Sequence, residues 1–141
     1  MNNVLRAGKT RFLVGLFLVL AVVSCSRGAR ELSDVGVELA IEPEPPQLGS
    51  ATVTVTLTGS RGEPITGAGV ELEGNMSHAG MVPVFGQAHE VSPGSYQAEL
   101  EFTMVGDWFI LVRAELPDGR SMERVIDVPG VDDVCGDTPT P

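Results

Sequence analysis

The sequence predicts an all-β domain, and three observations carry that expectation. Beyond Ser24 no segment shows a convincing helical period. Seven or so short segments instead alternate apolar and polar residues with a period of two, the pattern of a half-buried strand. Most of them are separated by turn clusters rich in Gly, Pro and Ser, all within positions 35–128. Several short strands with regular turns over that length describe a small immunoglobulin-like, Greek-key β-sandwich of about seven strands. Such a domain is large enough for one core without disulfides.

The elements follow in chain order. Val35, Val37, Leu39 and Ile41 alternate with Gly36, Glu38 and Ala40. Glu42-Pro43-Glu44-Pro45-Pro46 ends this strand, because Pro cannot donate to a ladder. Val53, Val55 and Leu57 alternate with threonines from Thr52 to Thr58, a run rich in β-branched residues. The turn cluster Gly59 to Pro64 follows, and Val70 and Leu72 mark a third strand. Residues 74–94 read as two short pieces, one at Val82 to Phe85 and one at His89 to Val91. Ser92-Pro93-Gly94 turns the chain. Tyr96, Ala98, Leu100, Phe102 and Met104 then share one face, and Met104 is expected in the core. After Gly106-Asp107, Trp108, Ile110, Val112 and Ala114 alternate with Phe109, Leu111, Arg113 and Glu115. Phe109 and Leu111 on the second face predict a strand covered on both sides near its start. Pro117-Asp118-Gly119 is a strong turn signal. A last strand runs from about Ser121 to Val128, with Met122 as edge packing. Tyr96 follows a Gly turn at a strand start, which fits a tyrosine corner and fits a plain core or edge tyrosine equally well.

The segment 1–24 belongs to targeting rather than fold. Arg6, Lys9 and Arg11 form a positive region, and Phe12 to Val23 is an apolar run of twelve. A spanning helix needs about 20 residues, so this run is too short to cross a bilayer and stay. It ends in Val22-Val23-Ser24-Cys25, which resembles a bacterial lipobox. In such signals the chain is cut before the Cys, which becomes the lipidated first residue. The alternatives are an ordinary secretory signal with an incidental cysteine and an uncleaved anchor. Two or three acyl chains on one residue hold a protein firmly at a bilayer. The expected organisation is a signal peptide at 1–24, the lipidated Cys25 and a tether to residue 34, the sandwich at 35–128, and an acidic tail without fixed structure at 129–141. The expected location is the cell envelope, facing the periplasm. Ser26 in place of an Asp after the Cys leans toward the outer membrane.

The whole chain carries 19 acidic and 9 basic side chains, a net charge of −10. Without the leader six basic residues remain, all Arg, and the net charge is −13. So acidic a chain is a poor nucleic-acid binder, because affinity for phosphate comes from Lys and Arg. No mature Lys is left for Schiff-base or general-base chemistry. Two cysteines cannot build a disulfide scaffold or a four-cysteine zinc site. Cys135 is the one thiol left without a lipid, either an incidental tail residue or a partner for another chain's thiol.

One segment concentrates soft donors. Met76, His78, Met81 and His89 place both histidines and two of the four mature methionines close together in the chain. Thioether and imidazole together suit Cu(I). In an extended segment Met76 and His78 point to the same face, and Gly80 lets the chain turn Met81 back toward them. The plainer reading is that Met fills core gaps and that a loop His hydrogen-bonds. Other chemistries have less support. Two His with Glu73 or Glu90 would suffice in number for zinc, but no H-E-x-x-H helix is present. Ser77-His78 lacks the G-x-S-x-G elbow. Asp132 and Asp133 read as a solvated run, and no helix is available to open a phosphate loop.

The combined spacing resembles a known family. Met76-x-His78-x-x-Met81-x-Pro83, Gly94-x-Tyr96-x-Ala98 and Phe102-x-Met104-x-Gly106-x-Trp108 are similar to the YtkA-like domain family, itself similar to FixH-type proteins. Pro46-x-x-Gly49 and Ala68-x-Val70 fit its first half. The resemblance implies an immunoglobulin-like sandwich related in shape to periplasmic copper-resistance domains. FixH-type proteins accompany the supply of copper to haem–copper oxidases, whereas YtkA-like proteins are largely of unassigned function. Members often carry a Met- and His-rich loop where Met76 to Met81 lie, which implies a ligand role for Met76, His78 and Met81. His89 enters by proximity alone. Two departures weaken the transfer: a lipobox stands where FixH-type proteins keep a membrane helix, and the loop is sparser in Met and Pro. The expectation is a lipid-anchored, non-enzymatic envelope accessory or binding domain that handles Cu(I). The alternative is a metal-free module that docks an envelope protein.

Overall fold

The computed structural model describes residues 32–133, and among these only strands and connections form. The strands are β1 (Gly36–Glu42), β2 (Gly49–Thr58), β3 (Gly69–Asn75), β4 (Val84–Ser92), β5 (Ser95–Phe102), β6 (Gly106–Glu115) and β7 (Ser121–Val131). Hydrogen bonding runs continuously in the order β1-β2-β5-β4-β3-β6-β7, every neighbouring pair antiparallel. β4 belongs to both halves. Val84 to Ala88 pair with β3, whereas His89 to Ser92 pair with β5 across an irregularity between Glu90 and Ser92. The sheet therefore folds over β4 into two layers, β1-β2-β5 and β3-β6-β7. With β4 counted beside β5, this is the four-plus-three arrangement of an immunoglobulin constant-type sandwich.

The alternation seen in the sequence is the core. Val53, Val55 and Leu57 from β2 meet Leu72, Ile110 and Val112 from the opposite layer, all fully buried. Their outward neighbours on β2 are threonines and those on β3 are glutamates, side chains that suit a solvated sheet face. Phe109 and Leu111 are half-buried. Tyr96 is fully buried. Its hydroxyl donates to the Ile65 carbonyl at 2.8 Å and accepts the Ala68 N–H at 2.9 Å. It lies on β5, and both partners lie upstream in the connection after β2, so it ties down the β2–β3 crossing. A tyrosine corner lies one strand later and reaches back only a few residues.

Four expectations need correction. Residues 84–92 form one strand, not two pieces with a gap. The inward position between Val84 and Ala88 is Gly86, which contributes nothing to an apolar pattern. A Cβ there would lie 2.8 Å from the Glu99 carbonyl oxygen, so β4 rests directly on the β5 backbone. Met104 does not extend the core: β5 ends at Phe102, and Met104 is 37 % exposed in the following turn. Met122 is core rather than edge, at 2 % exposed. The last strand also passes the expected limit at Val128. A bulge opposite Asp107 absorbs Pro129 and Gly130, and Gly130 donates its N–H to Asp107 Oδ1 at 3.0 Å. Val131 re-enters the ladder opposite Gly106 and is fully buried. The structured domain thus takes in residues 129–133 of the expected tail. Cys25, the expected signal segment 1–24 and Cys135 lie outside the described residues.

β1 and β7 are the two ends of the sheet, and they run in the same direction. They meet only just beyond their last residues, where Gln47 and Asp132 form a parallel bridge. Leu48 donates its N–H to the Asp132 carbonyl at 2.8 Å, and Asp132 donates to Pro46 at 3.2 Å. Pro43, Pro45 and Pro46 follow β1, and Pro129 sits within β7.

An ionic ladder crosses the outer face of β3, β6 and β7. The register sets Arg113 opposite both Glu71 and Glu123. Its guanidinium lies 2.6 Å from Glu73 Oε2, 3.0 Å from Glu123 Oε2 and 3.4 Å from Glu71 Oε1. The Asn75 amide hydrogen bond and then Arg113 hold the Glu73 carboxyl below its ordinary range, against the opposing effect of burial. A depressed acid stabilises the fold fully above its unfolded pKa, about 4.3, and loses that contribution as the pH falls through the lower folded value. Arg113 is partly exposed, so the contribution is about 1 kcal/mol or less. The expected result is that Glu73→Gln lowers urea stability by that amount at pH 7, and that the difference closes as the pH falls below about 4.

Candidate functional site

The strand register gives the domain two distinct ends. The amino-terminal end gathers the start of β1, the β4–β5 turn and the β6–β7 turn. There Arg120 pairs with Asp34 and Asp118, each at 2.7 Å. The opposite end gathers the connection after β1, the loop between β3 and β4, and the turn between β5 and β6. The length of β1 separates the two ends by about 23 Å, at about 3.3 Å per residue.

An open cleft of about 360 Å³ lies at that far end, lined by Leu48, Met76, His78, Thr103, Met104 and Val105. Its walls come from all three connections. Leu48 is positioned by its bond to Asp132. Met76 leaves β3 half-buried, and its methyl lies 3.2 Å from where a Cβ on Gly106 would sit. Gly106 has a φ of +120°, a value that side-chain-bearing residues rarely adopt. The bare glycine thus makes the turn and leaves room for the thioether. Trp108 fixes the third wall, because its Nε1–H donates to the Met104 carbonyl at 2.9 Å. The Trp108 ring meets Phe102 edge-on at 5.1 Å and covers Gly74, where an added Cβ would lie 3.5 Å from the ring.

The expected site residues separate. Met76 and His78 come together in the cleft. Met81 does not line it: the turn at Gly80 forms, with the Met81 N–H donating to the His78 carbonyl at 3.3 Å, but the Met81 side chain packs against the core, as Met76 does in part, without reaching the cleft. His89 is exposed on β4, well along the strand from Val84, roughly 17 Å away in an extended chain. The residue that sequence reasoning missed is Met104. The available signal was the Gly106-Asp107 turn just after it, which argues against strand continuing through Met104.

The side-chain donors that line this cleft are two thioethers, an imidazole and the Thr103 hydroxyl, with no carboxylate. That set fits a soft monovalent ion such as Cu(I) and is poor for hard cations. Among the described residues, no three His, Cys, Asp or Glu side chains come together as a metal site. The glutamates weighed for zinc are engaged elsewhere. Glu73 is bound by Arg113 and Asn75. Glu90 accepts the backbone N–H groups of Gly67 and Gly94, at 2.9 and 3.0 Å. A second open cleft, at the amino-terminal end, is lined by Asp34, Glu63, Asp118 and Arg120 among others. Hydrogen bonds with Arg120 hold Asp34 and Asp118 below the ordinary range, and backbone N–H groups do the same for Glu63. These acids are kept ionised, the opposite of what a general acid needs.

A family model described as YtkA-like matches residues 30–113. The chain belongs to the YtkA-like family. The matched stretch holds β1 to β5, most of β6, and Met76, His78 and Met104. The last strand of this YtkA-like domain lies beyond it. No curated protein matches the chain. Among solved structures, one of murine CRIg aligns at 13 % identity with a TM-score of 0.41, covering 70 % of this chain and 98 % of that one.

Proposed function

We propose that this YtkA-like domain is a non-enzymatic accessory of the bacterial cell envelope, anchored through acyl chains on Cys25 and facing the periplasm. It holds Cu(I) at the cleft containing Met76 and His78 and passes it on by ligand exchange. One observation supports this above the others: soft donors from separate parts of the chain share an apolar cleft at the end farthest from the amino terminus. An anchored domain with that polarity offers its cleft to a partner rather than to the membrane. Neutral imidazole and thioethers lose no proton on binding, so exchange between sites needs no base. The YtkA-like family is in turn expected, from its motif spacing, to resemble FixH-type proteins, which accompany copper supply, and this motivates the role. The net charge of −13 without the leader concentrates cations near the domain.

The test is a Cu(I) competition titration, anaerobic and reducing, on the full chain purified in detergent. One-to-one binding is expected for the wild type and is expected to disappear in Met76→Ala/His78→Ala, with unchanged circular dichroism. Equal affinity in both proteins would end the copper reading.

A second reading has its own observation. Leu48, Val82, Met104 and Val105 are exposed apolar residues around the same end. Clustered exposed apolar surface marks a docking site, so a metal-free envelope interaction module is the alternative. In that case an envelope protein captured by the wild type is lost with Val105→Asp and kept by the Met76/His78 variant.

A further inference from the structure

We infer that Met104, rather than Met81 or His89, is the third ligand of the Met76–His78 cleft, and that the completed site selects a soft monovalent ion over Zn(II). This rests on the copper reading above and specifies its ligand set and its selectivity.

The placement argument is local. Met104 lines the cleft with Met76 and His78, and at 37 % exposed it stands outside the core cluster. Its backbone is held from behind by the Trp108 indole, and Met76 crosses Gly106, two positions further on. The two thioethers therefore come from connections that a hydrogen bond and a close packing contact keep side by side. Met81 packs against the core without lining the cleft, whereas Met76 touches the core and lines the cleft as well, and His89 lies well up β4.

The selectivity argument is chemical. As metal ligands, thioether and imidazole carry no charge, and no carboxylate lines the cleft. A monovalent ion leaves one net charge in apolar surroundings; a divalent ion leaves two, with nothing to offset the greater loss of hydration. Thioether sulfur binds Cu(I) and resembles the donors chosen by other soft d¹⁰ monovalent ions, whereas Zn(II) sites rely on thiolate, imidazole and carboxylate.

The experiment uses the full chain in detergent with methionines carrying ¹³C-labelled methyl groups. Ag(I) serves as the redox-inert probe, and Cu(I) repeats the end point. At one equivalent the Met76 and Met104 methyl signals are expected to shift while those of Met81 and Met122 stay in place. Zn(II) is expected to move none of them. Met104→Leu keeps the apolar volume and removes the sulfur. It is expected to weaken Ag(I) binding at least about tenfold, since losing even the groups behind a ligand costs that much. Met81→Leu is expected to bind as the wild type does. A shift at Met81 in place of Met104, full affinity in Met104→Leu, or displacement of Ag(I) by Zn(II) would overturn the inference. If the Met76 signal responds and that of Met104 does not, the ligand set is wrong and the copper reading stands. If no signal responds, both fall.

Discussion

Trp108→Ala is expected to lower the unfolding free energy by about 3–5 kcal/mol, the usual cost of emptying a large buried aromatic site. Trp108 is 2 % exposed, and it is the one tryptophan in the chain. The truncation removes the edge-on contact with Phe102 and opens space over Gly74. Neither neighbour can refill that space readily: Phe102 is fixed in β5, and Gly74 has no side chain. The variant also releases the Met104 carbonyl from its indole partner. Stability and cleft geometry should therefore fail together. Urea unfolding followed by circular dichroism measures the first effect. Trp108→Phe separates the two, because it keeps most of the apolar volume and loses the N–H. It should be less destabilised than the alanine variant, yet show increased amide hydrogen exchange at Met104 and Val105. Unchanged exchange in both variants would mean that Trp108 is only core.

Gly86→Val is expected to cost about 3 kcal/mol, at the upper end of what overpacking usually costs. The new Cβ would meet the Glu99 carbonyl oxygen at 2.8 Å, Leu100 Cδ2 at 3.0 Å and Ala98 Cβ at 3.3 Å. Backbone is the first obstacle, so a change of side-chain rotamer cannot relieve the clash. β4 must lift from β5, at the place where it passes from one layer to the other. Loss of stability should be accompanied by faster hydrogen exchange in β4 and β5, with β6 and β7 changed less. A shift under about 0.5 kcal/mol, the range of ordinary surface substitutions, would show that β4 does not need this close approach.

These two positions also show what the sequence could and could not reveal. The strands that read well, β2, β5 and β6, bury one side chain at every second residue, so burial is written directly as alternation. β4 crosses between layers on a bare glycine, and a glycine carries no apolar signal. β7 passes through Pro129-Gly130, a pair that reads as a break, and only the bulge opposite Asp107 lets Val131 return to the core. The cleft was half legible. Met76 and His78 stand one position apart from being neighbours and declare themselves. Met104 comes only after β4 and β5 have intervened, and its side of the cleft is set by where β5 ends and by an indole hydrogen bond. Leu48 is held by Asp132, which lies beyond the last strand, while Leu48 itself lies between the first two. Contacts of that span follow from topology, which local pattern does not contain.

The edges of the sheet bear on how densely the protein can be packed. Under the proposed acyl anchor, copies on a bilayer would share two dimensions and a common orientation, which would raise their encounter frequency far above that in solution. Open strands presented side by side would then template one another into aggregates. Here prolines limit both edges: Pro43, Pro45 and Pro46 keep β1 from extending past Glu42, and Pro129 removes an N–H within β7. Glu38, Glu42 and Asp127 add like charge along the same edges. Crowding on a surface should therefore leave the domains as separate units, each with its far end free.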